Sequence, residues 1–154
     1  MPATNREKEI KVDITLREEI VFPVSDGHVL KGYGEYTDLP EKARISVYSL
    51  QEIASEKVLA LLDKVRNEPR DLYDLWYLVS GKHVAIGDLN EAIEKKLEFR
   101  KKKLPEVVGE FRNKEARLQK LWESRLGNQV SLLPEFEGVF REVQRALRQA
   151  EIIR

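Results

Sequence analysis

The hydrophobic pattern changes its period once, at Ser49, and that change divides the chain into an extended part and a helical part. Before it, Ile10, Val12, Ile14 and Leu16 alternate with polar residues, which predicts a strand over residues 10–16 with those four side chains on one face. Residues 19–24 predict a second strand, Ser25-Asp26-Gly27 a turn, residues 28–34 a weaker strand and residues 44–48 a fourth. From Ser49 onward the apolar residues recur at about 3.6, the helical period. The expected fold is therefore α+β: a small N-terminal antiparallel sheet within residues 1–48, packed on a C-terminal bundle of about five helices within residues 49–154, as one unit.

Helix boundaries are marked by side chains that satisfy free backbone groups. Ser49 with Glu52, and Asp88 with Glu91, have the spacing of a capping box. Pro69, Pro105 and Pro134 stand where a helix can begin without losing an internal hydrogen bond, and Gly81 and Gly127 where one can end. Helices are expected over residues 50–66, 70–80, 89–103, 106–126 and 135–150, with a break in the fourth near Gly109.

Composition narrows the function classes. The chain's 27 basic and 27 acidic side chains argue against coating nucleic acid by bulk charge. No run approaches the ~18 apolar residues of a membrane span, and the N-terminus lacks a signal peptide's apolar stretch, so a cytoplasmic protein without membrane partner is expected. With no Cys and 2 His, disulfides, thiolate metal sites and cysteine nucleophiles are excluded, and no metal site is expected. Heavy use of Lys, Arg and Glu hints at a thermophilic source. Residues 95–103 carry 6 basic side chains and 1 acidic one. Such a cluster can meet RNA phosphates, but it also complements a helix C-terminus and solvates a face without any partner, which is the preferred reading.

The most informative anomaly lies in the first helix. Leu50, Ile53, Ala54, Val58, Leu61, Leu62 and Val65 project into one apolar arc, and Lys57 falls inside it, while Glu52, Glu56 and Asp63 fall on the opposite, solvent-like side. A desolvated cation without a partner costs several kcal/mol, so Lys57 must be paired or open into a cleft. A phosphate-binding lysine and a snorkelling or ion-paired one both fit. In the next helix Leu72, Leu75, Trp76 and Val79 form the core stripe. Arg70 and Asp74, four apart, are placed to pair, and Asp71 in the first turn is favoured by the helix dipole. These structural explanations suffice unless one acid faces the same cleft as Lys57. Asp13 is out of phase with its strand's apolar face, and Glu18 follows that strand; either matters only if other carboxylates converge on it. No glycine-rich phosphate loop, Gly-x-Ser-x-Gly elbow or His-containing zinc motif is present.

Ser49-Leu50-Gln51-Glu52-Ile53-Ala54-Ser55-Glu56-Lys57-Val58-Leu59-Ala60-Leu61, followed by Arg70-Asp71-Leu72-Tyr73-Asp74-Leu75, resembles the AbiEii/AbiGii-type nucleotidyltransferase toxin family. Members pair S-L-x-E-I-x-x-E-K-x-x-A-L with R-D-x-x-D-L. The run from Ile10 to Glu18 resembles the family's K-x-[DE]-I-x-x-R-E strand, and Trp122 to Leu126 with Leu133 to Glu137 its C-terminal helices. The resemblance implies transfer of a nucleotide from an NTP, in some members onto the 3′ end of tRNA, by a toxin neutralised by an antitoxin. It implies that Lys57 and Arg70 bind the nucleotide, that Asp71 and Asp13 are catalytic, and that Glu56 and Asp74 support them.

The family's Gly-Ser loop and metal-binding acidic pair precede the strand that starts here near residue 9, so the active site is expected to be incomplete, with the N-terminal sheet a remnant of the nucleotidyltransferase core. Mg2+ and an NTP are expected only if a missing N-terminal half is supplied. A homodimer, or a complex with that half, is expected through residues 9–24, whose strand edge and apolar face would otherwise be uncovered. The alternative is a non-catalytic helical binding or scaffold protein.

Overall fold

The backbone turns from strand to helix at the expected place. The computed structural model describes residues 18–30, 32, 40 and 42–154. β1 (Ser25–His28) and β2 (Arg44–Val47) form a two-stranded antiparallel sheet, with Ser25 opposite Val47 and His28 opposite Arg44. The strand expected over residues 10–16, Asp13 within it, residues 31, 33 and 34 of the third, and much of the association surface over residues 9–24 lie outside the described residues.

Before Ser49 the structure differs from three expectations, the first being the strand over residues 28–34: His28 ends β1, and Val29, Leu30 and Gly32 are not strand. Residues 19–24 do not form a strand: the Val21 and Phe22 N–H groups donate to the Glu52 carboxylate, and Pro23 has no N–H to offer. Ser25-Asp26-Gly27 is strand rather than turn because its backbone pairs with residues 45–47. Gly27 suits that strand because a Cβ there would come within 3.0 Å of a Val47 methyl.

The helices follow as α1 (Leu50–Leu62), α2 (Pro69–Ser80), a 3₁₀ turn (Ile86–Leu89), α3 (Asn90–Phe99), one-turn segments α4 (Leu104–Val107) and α5 (Glu110–Asn113), α6 (Glu115–Leu126) and α7 (Phe136–Gln149). The helix expected over 106–126 is thus broken, and Gly109 lies between α4 and α5. α1 stops earlier than expected because Asp63 accepts the N–H groups of Val65 and Arg66 through its side chain, a local turn that competes with the helix. Val65, placed in the apolar arc, is consequently 85% exposed. Asp88 is not a helix cap: it sits within the 3₁₀ turn, which runs directly into α3.

α1 packs against α2, α3 and α5, and α2 also packs against α6 and α7. Phe111 of α5 stacks on Phe140 of α7 at 4.6 Å, and the Trp122 ring meets Phe136 edge-on at 5.5 Å. α7 contributes Phe136, Val139, Phe140, Val143 and Leu147, a helical stripe, to the same core as Leu61, Leu72 and Leu75. Among the described residues no helix is long and apolar enough to cross a membrane.

Candidate functional site

A cleft of about 640 Å³ opens between α1, the loop that follows it, the start of α2 and the N-terminal segment; its walls include Glu18, Tyr48, Glu56, Lys57, Arg66 and Asp71. α1 begins at Ser49, whose hydroxyl accepts the Glu52 N–H at 3.1 Å. Two turns later it delivers Lys57 to the side facing α2. The Lys57 ammonium lies 2.9 Å from Asp71 Oδ1 and 2.7 Å from Asp74 Oδ2. It is both ion-paired and open to the cleft, with its side chain 18% exposed.

Pro69 starts α2 and places Asp71 in the first turn, where its carboxylate is 2% exposed. Arg66 grips it in a fork, with Nε donating to Oδ2 and Nη2 to Oδ1 at 3.1 Å. Burial opposes the charge on Asp71, but the hydrogen bonds from Arg66 and Lys57 outweigh it and hold the carboxyl below its ordinary range. Asp74 pairs with Lys57 rather than with Arg70. Arg70 is exposed and is not in the cleft wall; Arg66, which sequence reasoning passed over, occupies the cationic position beside Asp71. Arg66 reaches there because α1 ends at Asp63 and the chain turns back.

A second cluster anchors the N-terminal segment. Glu52 and Glu56, read as a solvent face, meet Lys96 and Arg100 of the basic run read as solvated. Glu52 is 0% and Lys96 1% exposed at the side chain. Lys96 Nζ donates to Glu52 Oε1, to Glu56 Oε1 at 2.8 Å and to the Glu19 carbonyl, and Arg100 donates to Glu56 Oε2 at 2.7 Å. Burial disfavours the Lys96 charge, yet hydrogen bonds to Glu52 and Glu56 raise its pKa above the ordinary value. The other Glu52 oxygen accepts the Val21 N–H at 3.2 Å and the Phe22 N–H at 3.0 Å. Ser49 and Glu52 therefore make only half of a capping box, because the glutamate is engaged elsewhere. This segment brings Glu18 to the cleft, where Tyr48 Oη donates to it at 2.8 Å. One signal was available: two acids four apart and two cations four apart, on helices that must pack together.

The cleft carboxylates do not fit a Mg2+ site as they stand. Asp71 is held by Lys57 and Arg66, Glu56 by Lys96 and Arg100, and Asp63 by Lys102 at 3.3 Å. Among the described residues no three His, Asp or Glu side chains are grouped to hold a metal ion. Three cations, Lys57, Arg66 and Arg100, also line the cleft beside Glu18, Glu56, Asp63 and Asp71, and each of the three is paired with a carboxylate that an anionic ligand would have to displace.

A model of one protein family, described as "Nucleotidyl transferase AbiEii toxin, Type IV TA system", matches residues 2–149. No curated protein and no solved structure matches the chain.

Proposed function

Since the chain belongs to the AbiEii nucleotidyl transferase toxin family of type IV toxin–antitoxin systems, we propose that its cleft receives the phosphates of a nucleoside triphosphate at Lys57. The observation that carries this reading is the ammonium held at the cleft wall between Asp71 and Asp74. Asp74 is 35% exposed and can yield Lys57 to an incoming phosphate, while Asp71 keeps its Arg66 partner. Asp71 then orients Lys57 and bounds the cleft. Metal-dependent transfer needs further carboxylates to hold Mg2+, so the described residues by themselves form the phosphate-binding side of a site that is not catalytically complete. RNA is the proposed acceptor, an antitoxin the proposed partner, and the cytoplasm, with its NTP pool, the proposed place of action.

The test combines binding, transfer and melting. Pure protein with labelled NTP, Mg2+ and bulk tRNA is expected to leave the RNA unlabelled. Lys57→Ala is expected to weaken NTP binding about 10- to 100-fold, the value of one charge-assisted hydrogen bond, without lowering the melting temperature by more than a few degrees. Robust labelling that is lost in Lys57→Ala would overturn the incompleteness. Equal NTP binding by wild type and Lys57→Ala would overturn the cleft assignment. The mutual pairing of the cleft charges also suits a helical scaffold, and a large loss of stability without any NTP binding would favour that reading.

A further inference from the structure

Lys114, at the junction of α5 and α6, is buried at 3% exposure. Its ammonium nitrogen lies 2.9 Å from the Ala60 carbonyl oxygen and 2.7 Å from that of Arg66. These are its hydrogen-bond partners among the described residues, and they bracket the turn that ends α1. Ala60 and Arg66 both line the cleft, as do Asp63 and Val65 between them. No step of the proposed function uses Lys114.

We propose that Lys114 is a positioning residue for the cleft: through these two carbonyls it clamps the loop between α1 and α2, and so sets where Arg66 meets Asp71. The relation to nucleotide binding rests on the reading of the cleft given above. The ammonium donates one charge-assisted hydrogen bond to each carbonyl, and it is burial of its charge that opposes this form.

The charged groups around Lys114 are Asp63 at the end of α1, Asp71 of α2, Glu110 of α5 and Arg66 of the loop. Burial lowers its pKa most, to about 8, with Arg66 acting in the same direction and the three carboxylates opposing. An open loop would return the side chain to water and to the ordinary value near 10.4. The closed loop therefore binds the proton less well than the open one. Between about pH 8 and 10.4, raising the pH favours the closed loop, the opposite of what loss of a simple salt bridge would do.

Lys64 and Arg66 are exposed in this loop, so limited trypsin digestion of the full chain reads its opening. Rates are measured from pH 7 to 9 and divided by those of an unfolded peptide spanning the same bonds. Wild type is expected to become about tenfold better protected at Lys64 and Arg66 across that range. Lys114→Met, which keeps the chain's bulk but has no donor, is expected to be cut faster and to show no pH trend. A Lys114→Met loop cut no faster than the wild-type loop at pH 7 overturns the clamp, and so does a Lys114→Met profile with the wild-type slope. Should Lys114→Met fail to fold, Lys114→Gln, whose shorter amide keeps N–H donors but no charge, is digested in its place and is expected to be cut faster than wild type with no pH trend; a wild-type rate in it overturns the clamp. In parallel, ATP without metal is titrated into both proteins, with about a threefold or greater weakening expected in the variant. No ATP binding even by wild type would overturn the nucleotide reading alone; equal affinity in both proteins would overturn the link between the clamp and the cleft.

Discussion

Glu52→Ala is expected to destabilise the protein by about 3–5 kcal/mol, the cost of removing one partner from a buried ion pair. The substitution strips Lys96, 1% exposed, of its most buried partner and leaves the Val21 and Phe22 N–H groups without their acceptor. Glu56 still pairs with Lys96 at 2.8 Å, which places the effect toward the lower end of the range. Denaturant titration measures it. Hydrogen exchange at Val21 and Phe22 should accelerate more than in α7, because the anchor lost is local. The double variant Glu52→Ala/Lys96→Met should recover part of the loss, since it removes the stranded cation. A change below about 1 kcal/mol would mean that Glu52 does not hold the segment to the helices. Because that segment carries Glu18 to the cleft, the same variant should also alter ligand binding there.

Phe111→Ala is expected to cost about 3–5 kcal/mol, as large-to-small changes at a fully buried aromatic do. Phe111 is 0% exposed and stacks on Phe140 at 4.6 Å, yet it stands on α5, a helix of four residues (Glu110–Asn113). A helix that short has little stability of its own, so packing must hold it. Lys114 follows directly on α5, so loss of the ring should loosen the clamp on Arg66 as well as lower the melting temperature. Phe111→Leu should cost about half as much or less because it leaves a smaller cavity. If Phe111→Ala melted like wild type, α5 would be held by its neighbours in sequence and not by α7.

The candidate site was partly legible in the sequence. Lys57 stood out because helical geometry alone places it in an apolar arc, and the cost of an unpaired buried cation requires a partner or a cleft; it has both. Asp71 and Asp74 were visible as acids of the following helix, but not which of them would be buried. Arg70 seemed the natural cation because it lies four residues before Asp74. The position beside Asp71 is instead taken by Arg66, since a side-chain turn at Asp63 ends α1 and reverses the loop.

Local rules in the sequence determined where strand gives way to helix, that the fold is α+β, that Pro69 opens α2, and that the helix drawn over 106–126 would break near Gly109. Each of these depends on a few adjacent residues and on the hydrogen bonds they can make with one another. Only the tertiary structure decided which polar face is a solvent face. A helical wheel assumes one buried side, but α1 has α2, α3 and α5 around it and the N-terminal segment laid along it. Glu52 and Lys96 therefore leave water despite positions that read as exposed, and their charges are tolerated because each is the other's partner across two helices. Lys114 is buried for the same reason: the two carbonyls it reaches are set by how α5 and α6 pack beside the end of α1, a distance in space with no signature along the chain.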